Sequence, residues 1–202
     1  MFRMLARLML PAVLAASALT IPAAAPAVAA PAAAPVAAVP DAAAPAVCDR
    51  PVVYFDLGNV LIDTSDWSNV RYEPGALSYL RDLRSRGVDL GLIINIPETW
   101  GATQEEKLAT MKQYIADRWV EPRPFVWSYF EGRIVLPRTD AERKPAPVLF
   151  ERALTESAPC VPYYQGEVAA ELSAAAQVGL RTYQVGRPGR PFYLPASQVR
   201  RR

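Results

Sequence analysis

The sequence contains 202 residues with a formal net charge of +2, and none of these residues is histidine. A Ser-His-Asp triad, a Cys-His pair, a histidine general base and a His-ligated zinc are therefore excluded within this chain. The two cysteines are too few for a zinc site built from cysteine alone. Any catalysis must use Asp, Glu, Lys, Ser, Thr or Tyr side chains, or a hard metal ion held by oxygen ligands.

The first residues have the layout of a secretory signal peptide. Arg3 and Arg7 precede an apolar run over residues 8–21, and an Ala-Val-Ala sequence at 27–29 supplies a cleavage site. The apolar run is shorter than the roughly 20 residues that a membrane-spanning helix needs. We therefore predict a signal peptide over residues 1–29, with an uncleaved anchor as the alternative. The cleaved protein is expected to be periplasmic or extracellular and to keep no stable membrane span.

A segment of low complexity follows the signal peptide. Residues 30–47 are Ala, Pro and Val, apart from the single charge of Asp41. This composition buries too little apolar surface to offset the entropy of ordering the chain, so we predict a disordered spacer. The remainder, residues 48–202, has the size of one ordinary domain.

Short apolar runs alternate with helix signals in this domain. Five runs predict strands, at residues 52–57, 88–95, 124–130, 161–165 and 181–185. Helices are predicted to begin at Pro74, Thr103, Pro145 and Glu167. This alternation predicts an α/β fold, a five-stranded parallel sheet with helices on both faces. In such sheets ligands bind beyond the carboxyl ends of the strands.

Charged residues follow three of these runs. Asp56 comes directly after the first strand and could be a nucleophile, a metal ligand or a loop cap. Lys144 precedes the third helix, where it could hold a phosphoryl group or be a solvated side chain. Glu167 and Glu171 share one face at a helix N-terminus, which suits Mg²⁺ ligation but is also ordinary at helix starts.

In this order, the segments resemble the motifs of the haloacid dehalogenase (HAD) superfamily of phosphohydrolases. The sequence Asp-Leu-Gly-Asn-Val at 56–60 is similar to the DLGNV form of the first motif. Lys144, within Arg-Lys-Pro-Ala-Pro, is similar to the third motif. The Gly-Glu-x-x-x-Glu sequence at 166–171 is similar to the fourth, with Glu in place of Asp. The resemblance covers residues 51–186 and implies a Rossmann-like HAD fold.

The resemblance implies a phosphatase that hydrolyses a phosphate monoester through an aspartyl-phosphate. Asp56 would be the nucleophile, and Lys144 would hold both the nucleophile and the phosphoryl oxygen. The cofactor would be Mg²⁺, held by Asp56, the Gly58 carbonyl and an acid of the fourth motif, Glu167 first and Glu171 second. Substrate contacts are expected from Gly58, Asn59 and Asn95.

Two positions depart from the family pattern. Gly58 stands where most HAD phosphatases have a second Asp as general acid, although the DLGNV-type relatives share this glycine. Ile94 stands where a Ser or Thr of the second motif normally binds phosphate, so we expect Asn95 to substitute through its amide. The alternative function is a catalytically degenerate HAD-fold binding domain. A haloacid dehalogenase proper, which uses the same Asp without metal, is disfavoured by the retained acidic pair.

The spacing of the motifs leaves no room for a cap domain. Residues 59–71 are therefore expected to form only a short flap, which would admit a small-molecule or an exposed phosphate ester. Trp67, Trp100 and Tyr163 are candidates for the mouth of the site, with burial in the core as the alternative.

The two cysteines are placed where they could pair. Cys48 and Cys160 each precede a strand, and those two strands are parallel neighbours in the sheet that the resemblance implies. We therefore predict a disulfide between them, with two free buried cysteines as the alternative.

Residues 181–202 carry six arginines and no acid, which we interpret as a solvated terminus, so no nucleic-acid partner is expected. The sequence does not predict an oligomeric state.

Overall fold

The computed structural model describes residues 47–200, so the predicted signal peptide and nearly all of the predicted spacer lie outside the described residues. The strands are β1 (Val52–Phe55), β2 (Ile62–Asp63), β3 (Arg71–Tyr72), β4 (Asp89–Ile93), β5 (Ile134–Val135), β6 (Tyr163–Gly166) and β7 (Arg181–Gln184). The α-helices are α1 (Ala76–Ser85), α2 (Gln104–Ala116), α3 (Val148–Ser157) and α4 (Ala169–Val178). Within residues 47–200, no helix is long and apolar enough to cross a membrane.

Five of the strands form one parallel sheet in the order β5-β4-β1-β6-β7, which confirms the predicted fold class. The central strand β1 is buried on both faces. Val53 and Phe55 face one apolar core, shared with α1 and α2, whereas Val52 and Tyr54 face a second core, shared with α3 and α4. This two-sided burial explains why the strand reads as a continuous apolar run.

The predicted third strand, residues 124–130, is wrong. Residues Trp127–Phe130 form a 3₁₀ turn, and the edge strand of the sheet is β5, a few residues later. The aromatic residues that suggested a strand pack against one another instead, with Phe125 stacked on Phe130 and on Tyr72. Pro124 has no N–H to give to a strand ladder, so the local chain favours a turn.

The expected flap spans residues 59–71, and β2 within it pairs with β3 as a short antiparallel ribbon. No cap domain occurs within residues 47–200, in agreement with the spacing of the motifs.

The start of α2 confirms the predicted capping box. The Thr103 side chain accepts a hydrogen bond from the Glu106 N–H at 3.1 Å, and the Glu106 carboxylate accepts one from the Thr103 N–H at 3.2 Å. These bonds satisfy N–H groups that have no partner within the helix. They fix the start of the helix that forms one wall of the site described below.

Cys48 and Cys160 form the predicted disulfide, with their Cα atoms 4.7 Å apart. Both residues are buried, and they lie just before β1 and β6. Because those strands are parallel neighbours, the two cysteines meet at the edge of the sheet opposite to the carboxyl ends.

Replacing both Cys48 and Cys160 with serine is expected to lower the free energy of unfolding by about 2–5 kcal/mol. The bridge spans a sequence separation of 112 residues, so its removal frees a long loop in the unfolded chain. Urea denaturation without reductant measures the difference between parent and variant. The reduced parent is the control and should unfold near the midpoint of the variant. Equal midpoints for the oxidised parent and the variant would contradict the prediction.

Candidate active site

Asp56 ends β1 at the carboxyl edge of the sheet, and the backbone fixes its position. Its N–H donates to the Gln165 carbonyl of β6 at 3.0 Å, which continues the pairing of the two strands. Its Oδ1 accepts from the Leu57 N–H at 2.8 Å and from the Lys144 Nζ at 2.9 Å. The side chain is 17% exposed, so a ligand can reach the carboxylate while one of its oxygens is held by the protein.

Lys144 is the centre of the charged cluster, and its side chain is only 1% exposed. Its Nζ lies 2.9 Å from Asp56 Oδ1, 2.9 Å from Glu171 Oε2 and 3.0 Å from the Tyr164 hydroxyl. An ammonium group has three donors, and these three acceptors satisfy all of them. A buried cation is tolerated when it is paired and hydrogen-bonded in this way. The structure thus brings Asp56, Lys144 and Glu171 together.

Tyr164 is a member of the cluster that the sequence analysis missed. Its hydroxyl accepts from Lys144 and donates to Glu171 Oε2 at 2.8 Å. Burial, together with the negative charges of Asp56 and Glu171, raises the pKa of the Tyr164 phenol well above its ordinary value. The phenol therefore stays protonated and orients the lysine and the carboxylate. Since β6 is buried on both faces, its sequence does not distinguish this tyrosine from a core residue.

Glu167 lies apart from the lysine and is held by the loop after β1. The Asn59 Nδ2 donates to Glu167 Oε1 at 3.0 Å, and the Asn59 Oδ1 accepts from the Thr64 hydroxyl at 2.7 Å. Asn59 has a φ of 52°, in the left-handed region that asparagine tolerates better than most residues. Both ends of its amide are therefore used, and they join the flap to the segment just before α4. Its predicted substrate contact would have to come from the second Nδ2 proton.

Asn95 anchors the backbone of Lys144. Its Oδ1 accepts from the Lys144 N–H at 2.7 Å, and its Nδ2 donates to the Lys144 carbonyl at 3.0 Å. Asn95 still lines the cavity, so its predicted phosphate contact would also use the second Nδ2 proton. Ile94, at the position where the family places a hydroxyl, lines the same cavity.

These residues surround a cavity of about 240 Å³ at the carboxyl ends of β1 and β4. Its floor is charged, and its wall is formed by Trp67 of the flap with Trp100 and Tyr114. Tyr163 does not reach the cavity. Its hydroxyl donates to the Gln198 carbonyl at 3.2 Å, so the core alternative holds for this residue.

The four predicted metal ligands lie at the cavity. Asp56, Gly58, Glu167 and Glu171 all line the cavity. Among the residues that the structure describes, no three acidic or thiol side chains are close enough to hold a metal by themselves. Mg²⁺ is commonly held by one or two carboxylates together with substrate phosphate and water. The oxygen donors present therefore fit Mg²⁺ in that mode, and they do not form an all-protein cage.

Comparison with known proteins gives a match in structure alone. No protein-family model matches the sequence, and no curated protein matches it. An uncharacterized protein from Listeria monocytogenes serotype 4b is similar in structure, with 14% identity over 72% of this chain and 87% of its own, and a TM-score of 0.51. A HAD-superfamily hydrolase from Ehrlichia chaffeensis has 16% identity over 68% and 88%, with a TM-score of 0.49.

A HAD family enzyme from Bacteroides thetaiotaomicron, crystallised with magnesium and inorganic phosphate, has 13% identity over 71% of this chain and 97% of its own, with a TM-score of 0.48. At these identities the similarity concerns the fold. The parallel sheet has Asp56 at the end of its central strand, with Lys144 and Glu171 of α4 beside it. The chain therefore shares its fold, a parallel sheet with helices on both faces, with the Listeria monocytogenes protein.

Proposed function

We propose that this chain is an exported phosphatase that hydrolyses a phosphate monoester with Asp56 as the nucleophile. The observation that carries the proposal is the buried Lys144, which is bonded to both Asp56 and Glu171 at the base of an open cavity. A solvated lysine would not be buried, and an aspartate that only capped a loop would not need a buried cation as its partner.

The chain's own residues supply the nucleophile and hold it in place. A carboxylate oxygen of Asp56 attacks phosphorus, the bond to the ester oxygen breaks, and the alkoxide leaves with the electron pair and takes a proton from water to give the alcohol. Water then attacks the aspartyl-phosphate, which releases phosphate and restores the carboxylate. Overall, one ester and one water give one alcohol and one phosphate. Lys144 holds the carboxylate through its bond to Asp56 Oδ1, and its charge would stabilise the phosphoryl group that Asp56 attacks. Tyr164 and Glu171 hold the lysine in place.

Mg²⁺ would be held by Asp56, the Gly58 carbonyl and Glu167, with Glu171 as a further ligand. When bound, it would neutralise charge on the phosphoryl oxygens. Glu167 is the better acidic ligand of the two, because Glu171 is buried and paired with the Lys144 cation, whereas Glu167 is more exposed and is bonded to the neutral amide of Asn59.

Export is supported by the disulfide, since disulfides persist in oxidising compartments. The charged start and apolar run of the sequence support it independently. A mature protein that begins close to residue 30, by N-terminal sequencing of the exported product, is the expected result. A membrane-bound product that retains Met1 would show an anchor instead.

The test of the function is release of inorganic phosphate from a panel of monoesters, with Mg²⁺ and with a chelator. We expect release of phosphate that requires Mg²⁺ and that is lost when Asp56 is replaced with asparagine. A purified, folded, oxidised protein that releases no phosphate from any ester would leave the binding domain as the function.

The binding-domain alternative is favoured by one residue, Ile94, which cannot donate a hydrogen bond to phosphate. Replacing Ile94 with threonine is expected to raise kcat/KM by about tenfold or more, because a hydrogen bond to a charged group contributes about 1.5–3 kcal/mol. Ile94 is 6% exposed and lines the cavity, so the new hydroxyl would face the ligand.

Ile96→Thr is the matched control, since Ile96 lines the same cavity two residues later. It should give no gain, because the family places no hydroxyl there. A gain in both variants would attribute the effect to the polarity of the cavity. No gain in Ile94→Thr would contradict the prediction that the parent lacks only this donor.

A further inference from the structure

The wall above the charged floor is aromatic. Tyr114 of α2 lies between two tryptophans, with ring centroids 5.7 Å from Trp67 and 5.2 Å from Trp100. Trp67 is 48% exposed although it is a large apolar side chain on the flap. An indole in this position offers a face or an edge to a ligand that enters over Asp56.

The charges of the cavity restrict the ligand further. Among the described residues that line it, Lys144 is the only cation, and its three donors are already used by protein acceptors. Arg118 stacks on the Tyr114 ring at 3.7 Å from its centroid, but it does not line the cavity. A second anionic group on the leaving alcohol would therefore meet no cation inside the cavity. The hydroxyls of a sugar would likewise lose water against this wall, and Asn59 and Asn95 each keep only one Nδ2 proton to offer in return.

Gly58, which stands where most HAD phosphatases have a general acid, also restricts the leaving alcohol. A Cβ added at Gly58 would lie 3.2 Å from the Thr64 hydroxyl, so the flap occupies the space that a longer side chain would need. With no acid at this position, the alcohol must leave without a proton from it. A phenolate leaves readily, because the pKa of a phenol is about 10. An aliphatic alkoxide is far more basic and depends on protonation.

We propose that the cavity takes the phosphate monoester of an aromatic alcohol. The proposal rests on the proposed function and names its substrate class. The aromatic ring lies against Trp67 and Tyr114, and the phosphoryl group lies over Asp56 and Lys144. The oxygen of Asp56 forms the bond to phosphorus, the bond between phosphorus and the phenolic oxygen breaks, and the phenolate takes the electron pair and then a proton from water. Hydrolysis of the aspartyl-phosphate completes the balance, so that aryl phosphate and water give phenol and phosphate.

The size of the cavity agrees with one ring. An apolar cavity of about 150 Å³ holds benzene. The cavity of about 240 Å³ therefore has room for a ring and a phosphoryl group. It is smaller than the roughly 300–1,000 Å³ typical of sites for drug-sized ligands.

The first experiment compares hydrolysis of phenyl phosphate, cyclohexyl phosphate and glucose 6-phosphate by the exported protein with its disulfide intact. Cyclohexyl phosphate controls for size, because it has a six-membered ring but an aliphatic leaving group. We expect kcat/KM to be at least about tenfold higher for phenyl phosphate than for either alternative. A value for cyclohexyl phosphate or glucose 6-phosphate equal to or above that for phenyl phosphate overturns the substrate class and leaves the phosphatase standing.

The second experiment measures binding without turnover. Phenylphosphonate and ethylphosphonate have no ester bond to break, and calorimetric titration gives their dissociation constants. Phenylphosphonate is expected to bind about two- to tenfold more tightly. If no ester is hydrolysed but this preference is found, the phosphatase fails and the aromatic ligand class survives. Equal affinities, or no binding of either compound, overturn the ligand class.

The Trp67→Ala variant tests whether Trp67 causes the tighter binding of phenylphosphonate. It should reduce the affinity for phenylphosphonate about two- to tenfold and change that for ethylphosphonate less than about twofold. Trp127→Ala is the control, because Trp127 packs on Phe125 outside this cavity, and it should leave both constants unchanged. A Trp67→Ala variant that keeps the full preference overturns the assignment of the ring to this wall.

Discussion

Asp56→Asn is expected to lower phosphate release by about 10⁴- to 10⁶-fold, the loss found when a covalent nucleophile is removed. The amide keeps the shape of the side chain but cannot attack phosphorus. Lys144 would then face Glu171 alone, so the buried charges of the pair would balance. We therefore expect the melting temperature to stay the same or to rise, which separates loss of chemistry from loss of structure. Phosphate release and thermal unfolding of the same preparations measure the two effects.

Asp63→Asn is the matched control for this variant. Asp63 is an aspartate of the flap, paired with Arg71 at 2.9 Å, and it does not line the cavity. Hydrogen bonds from Ser65 and from Arg71 lower its pKa to about 2, so it is ionised at any working pH. Its replacement should change phosphate release less than about twofold, as is usual for exposed charges. An Asp56→Asn enzyme with activity similar to that of Asp63→Asn would remove Asp56 from the mechanism.

The fold could be predicted from sequence because its signals are local. β1 and β4 are continuous apolar runs, and Thr103 and Glu106 mark the start of α2 within four residues of each other. The missed strand shows the limit of this reasoning. β5 contributes only two residues to the sheet, and an aromatic segment of higher β-propensity precedes it. That segment became a turn because Pro124 and the packing of its rings outweighed propensity.

The site could be predicted only in part, because its details depend on contacts distant in sequence. Asp56, Lys144 and Glu171 were found since the carboxyl ends of parallel strands meet at one edge. The bonds of Asn95 join segments 49 residues apart, and nothing near Asn95 in the sequence indicates that its amide holds Lys144. Tyr164 was missed for a similar reason, since its two hydrogen-bond partners, Lys144 and Glu171, come from different segments of the chain and its own strand is wholly buried.

Lys144→Met is expected to lower the free energy of unfolding by about 3–5 kcal/mol and to abolish most of the activity. Methionine has a similar length but no charge, so the carboxylates of Asp56 and Glu171 would face each other in a buried place without their cation. Breaking a buried ion pair from one side carries a cost of this size. Tyr164 would keep its bond to Glu171 but would lose the donor that approaches its oxygen. Urea denaturation and phosphate release, both at a temperature where the variant is folded, measure the two effects.

Lys107→Met is the matched control, because Lys107 is also a buried lysine, 2% exposed. Its Nζ donates to the backbone carbonyls of Pro137 and Arg138 at 3.1 and 2.7 Å, and it contacts neither carboxylate of the site. Its loss should destabilise the protein by leaving two carbonyls without a donor, yet activity per folded molecule should remain. The double variant Lys144→Met with Glu171→Gln should recover part of the stability lost in Lys144→Met, because only one carboxylate then remains. If Lys144→Met and Lys107→Met lose stability equally and both keep their activity, Lys144 supports the fold and takes no part in phosphate transfer.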